Sequence, residues 1–135
     1  MPAHSIDYRV YYEDTDAGGV VFYANYLKFA ERGRTELLRA ADYDHRNLLK
    51  DDDILFIVRR VEADYLAPAR LDDILTVKTS LKALKNASFV MNQSIFCHEV
   101  LLCSMVVTLV CVTNDIKPVR MPDGMRDRIS QFMDS

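Results

Sequence analysis

The sequence has no tryptophan, and it contains only four glycines, four prolines and three cysteines among its 135 residues. Because no stretch is rich in glycine or proline, nothing in it resembles a linker or a low-complexity segment. Half of the residues are apolar, which is enough to build a hydrophobic core without disulfides or a structural metal. The sequence therefore predicts one domain, residues 1–135.

The sequence also lacks basic clusters and long apolar runs. Its net charge is -3, which argues against nucleic-acid binding. The apolar run 100–113 is shorter than the ~20 residues that a membrane-spanning helix needs, and the first ten residues have no apolar signal core. The three cysteines form no C-x-x-C pair. They are predicted to be buried, reduced thiols, which favours a cytoplasmic location.

Hydrophobic periodicity predicts one long helix and five strands. The helix covers about residues 22–41, where apolar or small residues recur at a spacing of 3.6. A second, short helix is predicted near the C-terminus, and residues 41–53 are predicted to form a helical turn and a loop. Short turns between the later strands require antiparallel pairing. The strands are predicted at 6–13, 54–70, 74–84, 88–98 and 100–113.

This order predicts an α+β architecture, in which one helix packs against a five-stranded antiparallel sheet. Gly33 falls on the apolar stripe of the helix, so the helix is expected to lie close to the sheet. A single helix covers only one face, and the uncovered edges and apolar surface favour self-association. We therefore expect at least a homodimer.

The segment EDTDAGGVVFYANY, residues 13–26, contains the candidate catalytic residues. A helix N-terminus has unpaired backbone N–H groups and a partial positive charge. Such groups can hold a carbonyl oxygen that becomes negative during acyl transfer. A carboxylate on the preceding loop can attack the carbonyl carbon or activate a water. Asp16, the glycine pair Gly18-Gly19 and the helix start at Phe22–Tyr23 supply this arrangement in the required order.

Other interpretations of this segment are weighed against the catalytic one. An aspartate before a helix is commonly a cap or a turn former, and Asp14 is predicted to fill that structural role. A calcium loop is disfavoured, because Gly18 and Asn25 replace the expected ligands. No histidine lies in the segment, so neither a Ser–His or Cys–His pair nor a metal site is indicated locally. The three histidines are His4, His45 and His98.

Two stretches resemble a known family. YRVYYEDTDAGGVVFYANYLKFAERGRTELL and YLAPARLDDIL are similar to the hotdog-fold acyl-CoA thioesterases, in the YbgC-like, Tol–Pal-associated branch of the 4-hydroxybenzoyl-CoA thioesterase family. The resemblance covers nearly the whole chain. It implies a hotdog fold, in which the sheet wraps around the long helix. It also implies hydrolysis of acyl-CoA to the free acid and CoA, without a metal or an organic cofactor.

By this resemblance, Asp16 is the catalytic carboxylate, and the backbone N–H of Tyr23 polarises the thioester carbonyl. Whether Asp16 acts as nucleophile or as general base stays open. Gly19 and Val20 of the same loop are expected to contact the substrate. Many members of the branch have a histidine where this chain has Tyr23, and the string VVFYANY is closer to the 4-hydroxybenzoyl-CoA thioesterases. The substrate can therefore be short aliphatic, long-chain or aromatic.

The resemblance also implies partners and further contacts. The turn with Lys85, Asn86 and Ser88 falls where relatives contact the phosphates or the pantetheine arm of CoA. The sites are expected at a dimer interface, and a dimer of dimers is common in the family. An acyl carrier protein is a possible alternative carrier of the acyl group. Two rival functions are a non-catalytic acyl-binding or scaffold protein and a hydroxyacyl dehydratase, which typically needs a histidine beside an acid.

Overall fold

The computed structural model describes residues 3–134, and its five strands form one sheet. All neighbouring strands pair antiparallel, as predicted. The strands are β1 (His4–Arg9), β2 (Leu55–Tyr65), β3 (Ile74–Leu84), β4 (Ser88–Cys97) and β5 (Val100–Val112). Their order across the sheet is β1-β3-β4-β5-β2, so that β1 and β2 are the two edges.

The long helix α1 spans Tyr26–Ala40 and follows a single 3₁₀ turn at Tyr23–Asn25. The predicted start of the helix was therefore close, but the first turn is wound more tightly than an α-helix. A second helix, α2, spans His45–Asp52, and the predicted C-terminal helix, α3, spans Asp123–Ile129. No helix in the described part of the chain has the length and apolar character to cross a membrane.

Helix α2 is longer than the predicted turn and loop. Its N-cap is Asp44, whose side chain accepts a hydrogen bond from the N–H of Asn47 at 2.8 Å. It ends at Asp53, which adopts a left-handed conformation with φ of 53°. The acidic segment at its end suggested a loop, but capping by Asp44 and burial of Leu48 against the core stabilise two helical turns.

Helix α1 packs against one face of the sheet, with Phe29, Ala30 and Leu37 almost completely buried. Gly33 marks the closest approach. A Cβ atom at this position would lie 2.6 Å from Cγ1 of Val77 in β3, so only glycine allows this packing distance. The strand order and the helix packed on the sheet agree with the hotdog arrangement that the family resemblance implied.

The two edges of the sheet differ. Strand β1 has six residues, and the C-terminal tail continues its side of β3, where Met133 forms a parallel bridge with Leu81. Strand β2 has eleven residues and, within residues 3–134, pairs only with β5. It carries exposed apolar side chains at Val58, Val61 and Tyr65. Such a long apolar edge favours pairing with a further strand.

Candidate active site

The loop that carries Asp16 is a tight hairpin. An antiparallel bridge pairs Thr15 with Val21, and the N–H of Asp16 donates to the carbonyl of Val20 at 2.9 Å. Gly19 has a φ of +77°, a conformation that favours glycine. The hairpin thereby gives Asp16 a defined backbone position at the end of the sheet.

The carboxylate of Asp16 is exposed and partly bonded. One oxygen, Oδ1, accepts a hydrogen bond from the N–H of Gly18 at 2.9 Å. The other oxygen, Oδ2, accepts none from residues 3–134. Gly18 therefore fixes the rotamer of Asp16 and leaves one carboxylate oxygen able to reach a reactant.

The backbone N–H of Tyr23 is an open donor at the start of the 3₁₀ turn. Phe22 is extended, with φ of -62° and ψ of 131°, and the first bond of the turn runs from the N–H of Asn25 to the carbonyl of Phe22 at 2.8 Å. The N–H groups of Tyr23 and Ala24 have no acceptor within the described range. They are the unpaired donors expected at a helix start. Their partial positive charge lies at this end of the molecule.

Asp14 joins the loop to the helix start. Its carbonyl accepts hydrogen bonds from the N–H of Phe22 at 3.1 Å and from Nδ2 of Asn25 at 2.8 Å. Its buried carboxylate accepts from the N–H of Tyr11 at 2.8 Å. The structural role predicted for Asp14 is confirmed, and its carbonyl connects the loop that carries Asp16 to the turn that begins at Tyr23.

A pocket of about 270 Å³ lies beside Tyr23. The Tyr65 ring of β2 packs edge-on against Tyr23 at 5.8 Å and is tilted against Tyr26 at 5.6 Å. The hydroxyl of Tyr26 accepts from the N–H of Ala69 at 3.0 Å, and burial raises the pKa of its phenol. Asp16 is not among the lining residues, which are Val21, Tyr23, Tyr26, Tyr65, Leu66, Ala67 and Pro68.

A second cavity, of about 350 Å³, lies further along α1, between α1, α2 and β2. It is largely apolar, with Arg34 and His45 among its few polar groups. The guanidinium of Arg34 donates to Oε1 of Gln93 at 2.9 Å, and burial lowers its pKa. Nε2 of His45 lies 3.1 Å from Oγ1 of Thr35, roughly 18 Å along the helix from Tyr23.

The sequence did not identify the residues of this second cavity. They come from one helix face, one short helix and three strands, so only the folded chain brings them together. The lining residues are Glu31, Arg34, Thr35, Leu38, His45, Leu55, Phe56, Val58, Phe89, Met91 and Leu109.

The predicted site residues fall into two groups. Asp16, Gly19, Val20 and Tyr23 lie together at the end of the sheet where β3 begins. Lys85, Asn86 and Ser88 lie in the β3–β4 hairpin, at the opposite end of β3. The ten residue steps along this strand correspond to about 33 Å. Within one chain, the second group therefore does not adjoin the first.

The hairpin with Lys85 is itself covered by the C-terminal region. The carbonyl of Lys85 accepts from the guanidinium of Arg126 at 2.7 Å, and the carbonyl of Asn86 accepts from the N–H of Met121 at 3.1 Å. Ser88 begins β4 and pairs with Val110. These backbone contacts leave the Lys85 side chain exposed.

Aromatic side chains are unusually exposed around the Asp16 loop. Tyr12 is 82% exposed, and Tyr23 is 62% exposed. Since large aromatic side chains are normally buried in part, this end of the molecule has the character of a binding surface. The exposed apolar residues here are Tyr11, Tyr12, Phe22, Tyr23, Tyr65 and Leu66. In the described residues, no group of three or more His, Cys, Asp or Glu side chains is arranged to hold a metal ion.

Comparisons with known proteins identify the family of the chain. The model of the thioesterase-like superfamily matches residues 10–129. The acyl-CoA thioesterase YbgC of Haemophilus influenzae is 41% identical over 123 residues, which cover 90% of each chain. The acyl-CoA thioester hydrolase YbgC of Escherichia coli is 44% identical over 119 residues, covering 87% of this chain and 88% of the relative.

A solved structure extends the comparison to three dimensions. The crystal structure of a probable thioesterase from Bartonella henselae superposes with a TM-score of 0.87 at 37% identity, and the alignment covers 89% of this chain and 99% of that one. The similarity in fold therefore extends over most of the chain. On sequence and fold together, this chain belongs to the thioesterase-like superfamily and has the hotdog fold.

Proposed function

We propose that this protein hydrolyses acyl-CoA thioesters, with the Asp16 carboxylate and the Tyr23 backbone N–H as its catalytic groups. The observation that carries the proposal is the unpaired Tyr23 N–H, held by hydrogen bonds next to the loop of an exposed carboxylate. Thioester hydrolysis is the activity of the relatives that match about nine-tenths of the chain at 41% and 44% identity.

In this mechanism, the thioester carbonyl oxygen accepts a hydrogen bond from the Tyr23 N–H, which stabilises the charge that develops on it. Asp16 then acts in one of two ways. Its carboxylate attacks the carbonyl carbon and expels the CoA thiolate, and water hydrolyses the resulting mixed anhydride. Alternatively, it takes a proton from a water that attacks the same carbon. Both routes need the carboxylate oxygen that Gly18 leaves unbonded.

The acyl group is proposed to lie along α1. The pocket beside Tyr23 opens toward β2, whose inward-facing Val58 and Val61 are still partly exposed. This apolar surface leads to the larger cavity near Arg34. Gly19 and Val20 are proposed to contact the substrate near the thioester.

A second copy of the chain is proposed to pair with the edge strand β2. The outer edge of this eleven-residue strand, whose other edge pairs with β5, and its exposed apolar side chains support a homodimer. A dimer of dimers is proposed as the larger assembly. Lys85, Asn86 and Ser88 lie too far from Asp16 to touch the same thioester in one chain, so their proposed role is to hold remote parts of CoA.

The cellular location and the acyl carrier are also proposals. The three cysteines form no disulfide, which supports a cytoplasmic location. CoA is proposed as the acyl carrier because the relatives are named for acyl-CoA, and an acyl carrier protein is proposed as a second possible donor.

The test is substitution of Asp16 by asparagine, which keeps the side-chain shape and removes the charge. We expect Asp16→Asn to keep the fold and to lower kcat by about 100-fold or more, measured by thiol release from a panel of aliphatic and aromatic acyl-CoA substrates. The matched control is Asp115→Asn, at an exposed aspartate beyond β5 at the far end of the sheet. Near wild-type turnover by Asp16→Asn would refute the assignment.

The same panel separates the rival functions. A scaffold or acyl-binding protein would release no thiol from any acyl-CoA of the panel. Its binding function would also be unchanged in the Asp16→Asn variant. A hydroxyacyl dehydratase needs a histidine beside the reacting carbon, whereas the cavity histidine, His45, lies beside Thr35 near the other end of α1. The geometry therefore favours hydrolysis over dehydration.

A further inference from the structure

We infer that Asn25 is a positioning residue for the hydrolysis, because its side-chain amide fixes the Tyr23 N–H relative to the loop of Asp16. The inference rests on the proposed function and extends it to a residue that touches neither the substrate nor the reacting atoms. Asn25 is half-buried and sits at the end of the 3₁₀ turn.

The geometry depends on one carbonyl oxygen. The carbonyl of Asp14 accepts hydrogen bonds from the N–H of Phe22 at 3.1 Å and from Nδ2 of Asn25 at 2.8 Å. These two donors flank Tyr23, one residue before it and two residues after it. Because both bonds end on the same oxygen, the peptide unit of Tyr23 is held from both sides.

The oxygen that anchors these bonds is itself fixed. Asp14 is only 8% exposed, and its carboxylate accepts from the N–H of Tyr11. The next residue, Thr15, donates its N–H to the carbonyl of Tyr12 at 3.1 Å. Asp16 follows directly. Within residues 3–134, the Asn25 amide provides the one side-chain hydrogen bond between the 3₁₀ turn and the loop segment 11–16.

A simple capping role does not account for Asn25. It occupies the N-cap position of α1, where asparagine commonly accepts a hydrogen bond from a backbone N–H, but its side chain makes no such bond here. Its amide nitrogen faces a carbonyl oxygen, which can only accept, so the orientation of the amide is determined by its partner. The side chain is used to connect the turn to Asp14.

The experiment compares two variants that remove the donor while keeping the side-chain size, Asn25→Leu and Asn25→Asp. We expect each to lower kcat by about 10- to 100-fold, since displacement of a catalytic group by about 1 Å can cost about 100-fold. The Kd of a non-hydrolysable thioether analogue of acyl-CoA should change by less than about 3-fold. The thermal midpoint should stay within about 5 °C of the wild type.

The matched control is Asn47→Leu, which removes an amide that donates to the carboxylate of Asp44 at 2.8 Å in α2. Its kcat should equal that of the wild type. The inference is overturned if both Asn25 variants turn over at the wild-type rate, or if their loss of kcat is matched by an equal loss of analogue binding. If Asn25→Leu does not fold, the Asn25→Asp variant alone decides the question.

The Asp16→Asn variant is measured in the same assays as the Asn25 variants. It distinguishes a failure of the positioning role from a failure of the proposed function. If Asp16→Asn is inactive and the Asn25 variants are fully active, only the positioning role is wrong. If Asp16→Asn is itself fully active, the proposed function is wrong at its catalytic carboxylate.

Discussion

Gly33 sets the distance between α1 and the sheet. The nearest atoms to a Cβ at this position would be Cγ1 of Val77 at 2.6 Å, Oγ1 of Thr79 at 3.0 Å and Nε2 of Gln93 at 3.3 Å. These side chains are themselves almost completely buried, so they have little room to move. The absence of a side chain at one residue therefore determines how deeply the helix sits in the sheet.

We predict that Gly33→Ala destabilises the fold by about 1–3 kcal/mol, because overpacking outweighs the ~1 kcal/mol that alanine gains over glycine in a helix. Urea unfolding followed by circular dichroism measures the difference. Gly124→Ala in α3 is the matched control, since a Cβ there would meet only the Tyr43 hydroxyl, at 3.8 Å. A Gly33→Ala variant as stable as the control would contradict the proposed packing.

The same contact contains a buried polar side chain. Gln93 is 1% exposed, and its Nε2 donates to the carbonyl of Ala30 at 2.8 Å and to Oγ1 of Thr79 at 3.0 Å. Its Oε1 accepts from Arg34. All of these groups are satisfied, so the cost of burying the amide is offset, and the bonds give α1 one preferred position along the sheet.

Strand β2 forms the longer of the two edges of the sheet. Its inner face continues the hydrophobic core, since Val61 pairs with the buried Val107 of β5. The outer edge of the strand has no partner in the described part of the chain. The proposed dimer places a second copy of β2 on this edge.

We predict that Val61→Lys converts the proposed dimer to a monomer, because an inward-pointing charge on an edge strand blocks strand pairing. Sedimentation velocity measures the change in mass, and thiol release is not used as the readout because Val61 also faces the proposed acyl path. Val100→Lys is the control, because Val100 is 56% exposed but lies at the start of β5. A Val61→Lys protein that is still dimeric would place the interface elsewhere.

The sequence predicted elements best where the pattern is local. The bounds of β3 matched the prediction at both ends, because strict alternation and flanking turns define that strand. The predicted strand 6–13 was too long, because residues 12–14 form a 3₁₀ turn that is held by the Asp14 side chain. The predicted strand 54–70 was likewise too long, since the N–H groups of Leu66 and Ala67 both donate to the carbonyl of Leu102.

The candidate site was predicted only in its local part. The spacing of Asp16, the glycines and Tyr23 indicated a carboxylate ahead of a helix start, and the structure has these residues in one loop and turn. The contribution of Tyr65 to the pocket could not be predicted, because it depends on β2 returning to α1 from about 40 residues later in the chain. The cavity at Arg34 depends on α2, which the sequence pattern under-predicted.

At the scale of the whole molecule, buried thiols make stability depend on pH. Burial raises the pKa of Cys103 and of Cys111 from 9.0 to about 11. In the folded protein these groups keep their protons up to a higher pH than in the unfolded chain. Their contribution to stability is therefore complete below about pH 9 and is lost as the pH rises through about 11.

We predict that the free energy of unfolding falls between pH 8 and pH 10.5, measured from urea transitions at constant ionic strength. The doubly substituted Cys103→Ala, Cys111→Ala protein should be less stable at pH 8, because cavities replace the thiols, but should lose less stability over the same pH range. An equal loss in both proteins would assign the alkaline sensitivity to other groups, such as the phenol of Tyr26, whose pKa is also raised by burial.

The unequal edges of the sheet limit how far it can grow. A continuous β-sheet can form between molecules when each molecule has an unpaired edge strand on both sides of its sheet. Each added molecule then exposes a new edge strand with which the next molecule can pair. Here the short β1 and the tail at Leu81 leave little length on one side. If β2 of one molecule pairs antiparallel with β2 of another, the single long edge of each is consumed. In the proposed dimer, the strand edge that drives association is also the edge that it uses up, so association through β2 would not continue into a fibril.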